Sequence, residues 1–215
     1  MKQPIMISCF DKSTVGAKPW AKAGYLCYCV DIQHPEGENR SGNIIKVKAD
    51  MLNWLPPRGN IQFAAFYPPC TDTAVSGARW FKDKGIGAII NALKLFEVSV
   101  KIAEWSKAPY YIENPVSTVS TYWRKPDYTF HPCDYSDPYT KKTCLWVGGG
   151  FKMPIKNRVE PTQGSKMHTL PNNSERAEIR SVTPEGFAKA VFKANSKREL
   201  KRKQKRKLKR KLTIK

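Results

Sequence analysis

The sequence predicts an α/β fold, a doubly wound sheet with helices on its faces, and three observations carry that expectation. Apolar, β-rich runs alternate with segments of helical periodicity. Residues 5–32 read as strand, turn, helix, strand, about the 30 residues of one βαβ unit. Acidic, glycine and proline residues recur just beyond the apolar runs, at the carboxyl ends of strands where open α/β sheets bind ligands.

The elements follow in order. Ile5 to Phe10 is the opening strand, Asp11 to Gly16 a polar turn, and Ala17 to Ala23 a short helix with Pro19 in its first turn and Gly24 at its end. Tyr25 to Ile32 is a second strand containing Asp31, and Ile44 to Val47 a third leading to Asp50. A fourth, Ile61 to Tyr67, stops at Pro68-Pro69, and a polar loop, Thr71 to Lys84, comes next. Ile86, Ile89, Ile90, Leu93, Phe96, Val100 and Ala103 recur at helical spacing, so a helix is expected over Ile86 to Trp105. Tyr110 to Ile112 is a fifth strand, and two β-rich pieces, near Thr129 to His131 and Cys144 to Val147, flank a polar turn. After Gly148 the chain is rich in Pro and Gly, until a helix over Pro184 to Ala194 with Thr183 as its N-cap.

Length and charge bound the function. The 215 residues carry a net charge of +20, with 40% apolar content, enough for one buried core. Residues 197–215 hold twelve cations against Glu199, a net +11, leaving +9 on the other 196; the expected division is a domain over 1–196 and a basic tail over 197–215. In isolation the tail is expected to be disordered by self-repulsion, or helical with a thin stripe of Leu200, Leu208 and Leu212. Nonspecific nucleic-acid binding is its leading reading; a membrane contact or a localising tag are the others. No apolar run approaches the roughly 20 residues of a membrane span, and Met1 to Phe10 lacks a signal-peptide pattern, so a soluble, cytoplasmic protein is expected. The six cysteines include no CxxC pair, and His34, His131 and His168 are scattered, which argues against any metal site. Cys9, Cys27, Cys29, Cys133 and Cys144 read as buried, reduced thiols. Cys70 does not.

Cys70 follows Pro68-Pro69 at the end of one strand, and Glu113-Asn114-Pro115 ends the next, so a thiol and a carboxylate are expected side by side at one sheet edge. The order of these residues resembles that of the DNA cytosine-C5 methyltransferases, over most of residues 5–194, and most closely the compact members encoded by phages. Pro69-Cys70 matches that family's nucleophile loop, with Ser76-Gly77 downstream, and Glu113-Asn114 its Glu-Asn pair. Asp134-Tyr135 through Pro138, then Lys141, Thr143 and Leu145 to Gly148, resembles its Tyr-Gly-x-Pro-Gln-x-Arg-x-Arg strand, and Arg180 to Glu185 its late Arg-x-Leu-Thr-Pro-Arg-Glu segment.

The resemblance implies a class I methyltransferase-like sheet that binds S-adenosyl-L-methionine through Phe10, Asp11, Ser13, Gly16, Asp31, Ile32, Asp50 and Pro68. It implies that Cys70 adds to C6 of cytosine, that Glu113 protonates N3, that Asn114 positions Glu113, and that Lys141 stands in for an arginine contacting the base. The implied partner is DNA, with a role in marking phage or host DNA against restriction; RNA or a free pyrimidine nucleotide is the alternative substrate. A catalytically silent nucleic-acid-binding relative is the third reading.

The sequence departs from the family in four respects. Only Gly16 remains of the Phe-x-Gly-x-Gly cofactor loop, Lys141 and Thr143 replace two arginines, and Thr71 replaces a Gln. Between Gly148 and Ile179 there are about 30 residues, where family members insert a target-recognition domain of roughly 100 or more, far beyond ordinary loop length. Low or short sequence specificity is therefore expected. Lys142, Lys152, Lys156, Arg158, Lys166, His168, Arg176 and Arg180 offer phosphate contacts, as do Lys201, Arg202, Lys205, Arg206, Lys209 and Arg210 in the tail. Trp80, Tyr110, Tyr111, Tyr122, Trp123 and Tyr128 divide between core packing and a stacking partner for a flipped base, with packing the weightier reading.

Overall fold

A computed structural model describes residues 3–165, 170 and 175–197. Its centre is an eight-stranded mixed sheet. The strands are β1 (Ile5–Cys9), β2 (Leu26–Val30), β3 (Glu38–Ser41), β4 (Ile44–Val47), β5 (Ile61–Phe66), β6 (Tyr110–Pro115), β7 (Tyr128–Phe130) and β8 (Thr143–Gly148). Their order across the sheet is β3-β4-β2-β1-β5-β6-β8-β7. The five central strands, β4 to β6, are parallel, whereas β3 runs antiparallel to β4, and β8 antiparallel to both β6 and β7. The chain builds outward from β1 through β2 to β4, then returns to lay β5 and β6 on the other side. The order thus reverses between β1 and β5. This is an α/β arrangement compatible with a Rossmann-like fold.

Alternation along each strand supplies two cores. Ile5, Ile7, Cys9, Ala64, Phe66, Tyr110, Ile112, Cys144 and Trp146 face the side of α2 (Phe81–Ser106), which buries Phe96, Ile102 and Ala103 against them. Met6, Cys27, Cys29, Phe63, Ala65, Tyr111 and Leu145 face the opposite side. There α1 (Lys18–Lys22) contributes Trp20, and α5 (Glu185–Asn195) contributes Phe187 and Val191. Trp20 stacks on Phe63 at 4.4 Å and meets Phe192 edge to face at 5.2 Å, while Phe187 stacks on Phe130 at 4.1 Å. Two short helices complete the fold, α3 (Val119–Tyr122) and α4 (Glu175–Ser181).

Several expectations change. The expected helix over 86–105 is part of a longer one, broken at Gly85, where φ of 74° interrupts the helical path; a 3-10 turn, Val75–Trp80, leads into it from the expected polar loop. Of the apolar positions that set the helical spacing, Ile86 and Ile90 are exposed. The N-cap of α5 comes from Asp137, whose Oδ2 accepts the Gly186 N–H at 2.9 Å. Thr183 serves elsewhere, bonding the Tyr67 hydroxyl. Tyr110 and Tyr111 are buried in the two cores, whereas Trp80, Tyr122, Trp123 and Tyr128 lie on the surface. The five cysteines expected to be buried are so, every cysteine is free, and Cys70 alone is half-buried. No helix among the described residues is long and apolar enough to cross a membrane, and none of their His, Cys, Asp and Glu side chains group to hold a metal.

From Gly149 to Gly164 the chain folds back as a strap along 133–140. Asn157 and Val159 donate backbone N–H bonds to the Asp134 and Cys133 carbonyls, Gln163 donates to Pro138, and Thr140 donates to Gly164. Tyr135 Oη donates to the Pro154 carbonyl at 3.2 Å, and Asp134 pairs with Lys156 at 3.2 Å and Arg158 at 3.7 Å. Two of the cations expected to meet phosphate thus lie within reach of an internal carboxylate. Lys166 and the tail cations Lys201 to Arg210 lie outside the described residues.

Candidate active site

The carboxyl ends of β5 and β6 lie side by side, Phe66 opposite Ile112, so Pro68 to Cys70 and Glu113 to Pro115 emerge at the same edge. Their mutual position is stitched by hydrogen bonds. Asn114 Nδ2 donates to the Pro68 carbonyl at 2.9 Å, and Asn114 Oδ1 accepts from Thr73 Oγ1 at 3.3 Å. The Thr118 N–H donates to the Thr73 carbonyl and the Val75 N–H to that of Val116, around a bridge between Ala74 and Ser117. The Thr73 and Ala74 N–H groups both point back to the Cys70 carbonyl, at 3.1 and 2.8 Å, turning the chain sharply at the thiol. Asn114 therefore fastens the Cys70 loop, and its Nδ2 also donates to the Glu113 carbonyl at 3.2 Å.

The antiparallel register of β8 sets Thr143 opposite Pro115, which carries Lys141 in beside Glu113. Lys141 Nζ lies 3.9 Å from Glu113 Oε1 and donates to the Arg180 carbonyl at 2.9 Å. Lys12, from the loop after β1, holds Glu178 at 3.0 Å, so α4 is gripped from both sides of the sheet's reversal point. Cys70 feels all of this. Burial raises its thiol pKa first and Glu113 raises it further, while Lys141 and Arg180 pull it down. A small cavity behind the group is lined by Tyr67, Glu113, Lys141, Thr143, Thr183 and Pro184.

Compared with protein-family models and with curated proteins, the sequence matches none.

The residues expected to hold a cofactor divide. Asp31 ends β2, buried, its Oδ1 accepting the Gln33 N–H at 2.8 Å, and Ile32 beside it is 62% exposed. Asp50 lies three residues beyond β4 on the same edge, exposed, and folds its own turn by accepting from the Leu52 N–H and Asn53 Nδ2. Phe10 adopts φ of 59° and packs on the α2-side core. Asp11 turns inward: its carboxylate accepts from Ser8 Oγ at 2.7 Å, Ser13 Oγ at 2.9 Å and the Thr14 N–H at 2.7 Å, and burial raises its pKa. Ser13 is thereby committed to the same internal network. Gly16 does permit a close approach, but by the protein itself, since a Cβ there would lie 2.4 Å from the Tyr67 hydroxyl. The Asp11 carboxylate and the Gly16 clearance are thus both engaged by neighbours within the chain.

Of the expected nucleic-acid contacts, Lys142 and Arg180 are exposed near the site and Arg176 is half-buried in α4. Sequence reasoning missed Thr73, the second partner of Asn114, and the chain Thr183, Tyr67 and Tyr111, whose hydroxyls bond in series behind Glu113. The one available signal was polar tips within apolar strand ends.

Proposed function

We propose that this chain is an S-adenosyl-L-methionine-dependent methyltransferase of cytosine C5 in DNA, with low or short sequence specificity, working in the cytoplasm. The observation that carries this reading is the stitched pair of strand ends, with Cys70, Glu113 and Lys141 grouped and Asn114 fastening the loop. Cytosine C5 is a poor nucleophile until a group adds at C6. Cys70 Sγ forms that bond, and Glu113 donates a proton to N3, so the ring becomes an enamine whose charge stays neutralised. Lys141 holds its ammonium beside Glu113 and the thiol, favouring the thiolate that must form. Once C5 carries the methyl group, its proton passes to solvent water, the C–H electron pair re-forms the C5–C6 double bond and expels Cys70 Sγ as thiolate, and Glu113 recovers its proton from N3.

Asp31, Ile32 and Asp50 fit an adenosyl group, with carboxylates able to accept from hydroxyl or amino donors and an exposed apolar side chain between them. When bound, S-adenosylmethionine supplies a methyl made electrophilic by its sulfonium. The loop from Asp11 to Gly16 adds backbone only, its side chains being committed internally. That last observation favours a second reading, a catalytically silent nucleic-acid-binding relative.

One experiment separates them. Incubated with labelled S-adenosylmethionine and cytosine-containing DNA, the protein transfers label to DNA and Cys70→Ala does not. Transfer that survives the substitution, or none from the parent protein, rules out the methyltransferase; saturable cofactor binding by calorimetry is absent in the silent relative.

A further inference from the structure

Beside the Cys70 loop runs a groove that the chemistry above does not use. Its walls are the first turns of α2 and the end of α3, with Phe81, Ile86, Ile89 and Tyr122 as apolar lining and Lys82 and Lys84 at its rim. Lys84 donates to the Thr71 carbonyl at 3.0 Å and to Asp72 Oδ1 at 2.7 Å, so one wall is tied directly to the residues following the thiol. The apolar groups here are open to solvent to an unusual degree for a packed helix: Ile86 is 78% exposed and Tyr122 69%. One residue before the groove, Trp80 is 52% exposed, with the Arg79 guanidinium 5.0 Å over its ring.

Charge decides the occupant. Lys82 is exposed in the groove's lining beside these aromatics, the chain carries +20 overall, and +9 remains without the tail. An apolar peptide would leave those cations idle, and a duplex presents its bases only at their edges. Exposed ring faces beside cations suit unstacked bases on a phosphate backbone. We infer that this groove binds an unpaired DNA strand, stacking a base on Tyr122 and pairing phosphates with Lys82, so that Cys70 meets cytosine in single-stranded DNA. The inference rests on the reading of Cys70 as acting on cytosine for its substrate, but the groove's binding stands separately. A strand already unpaired spares the few kcal/mol of extruding a base, which suits a chain whose 149–164 segment is spent as a strap packed on 133–140.

The test is anisotropy with a labelled cytosine-containing oligonucleotide, unpaired or as its duplex, using the full chain at raised salt, where the tail's nonspecific grip is weakened. The unpaired strand binds more tightly than the duplex. Tyr122→Ala weakens the unpaired strand about tenfold, Tyr122→Phe restores it, and Lys82→Gln weakens it less, while duplex binding is unchanged by all three. Equal losses for strand and duplex, no loss with Tyr122→Ala, or tighter binding of the matching RNA overturns the assignment. Cys70→Ala leaves these affinities unaltered, so a failed methyl transfer with intact strand preference removes the enzyme and keeps the groove.

Discussion

Cys70 sits in a field that can be taken apart one charge at a time. Burial and Glu113 hold its thiol above the ordinary value, and Lys141 and Arg180 oppose them. Removing the negative neighbour must therefore favour the thiolate: Glu113→Gln shifts the pH profile of Cys70 alkylation to lower pH, and Lys141→Met shifts it higher. The rate of iodoacetamide alkylation against pH measures both, with Cys70→Ala as the blank, since the other five thiols are buried. Opposite shifts, or none, mean that these side chains do not govern the thiol. The pairing of Cys70 with Glu113 was legible in the sequence because both lie just beyond apolar runs with proline beside them, Pro68-Pro69 before Cys70 and Pro115 after Glu113. The inward turn of Asp11 was not, since a short acidic side chain after a strand reads the same whether it caps its own loop or faces a ligand.

At the level of elements, the most tightly constrained contact joins α5 to the chain before β8. A Cβ at Gly186 would stand 1.6 Å from the Tyr135 carbonyl oxygen, while the Gly186 N–H is held by Asp137. Gly186→Ala pushes the helix away from that backbone and lowers stability by about 2 kcal/mol or more, read as a fall in urea midpoint at unchanged slope. An unchanged midpoint would mean that α5 shifts freely. Strands with alternating apolar residues, β1, β2, β5 and β6, were legible because both faces bury their side chains. β3 was not, because Glu38, Asn39, Arg40 and Ser41 carry no apolar signal; it is a strand through pairing with β4 alone. α4 escaped notice for a related reason: Lys12 and Lys141 hold it by charge and hydrogen bonding rather than by an apolar face.

Across the whole molecule, charge divides between body and tail, +9 and +11. Each neutralised phosphate adds about 0.9 to the slope of log affinity against log salt on duplex DNA. Deleting residues 197–215 therefore flattens that slope, while Tyr122→Ala leaves it unchanged and weakens the unpaired strand at every salt concentration. A slope unaltered by the deletion would assign the phosphate contacts to the body. The sheet's architecture has a different outcome, one that concerns synthesis. β1 is the first strand made and lies near the middle of the sheet, yet its neighbour β5 begins only at Ile61. The aromatic layer over it, Trp20, Phe63, Tyr111 and Phe130, is closed by Phe187 and Phe192 of α5. On the ribosome that layer stays open until Phe187 and Phe192 emerge, so the nascent chain carries an uncovered aromatic face for most of its translation.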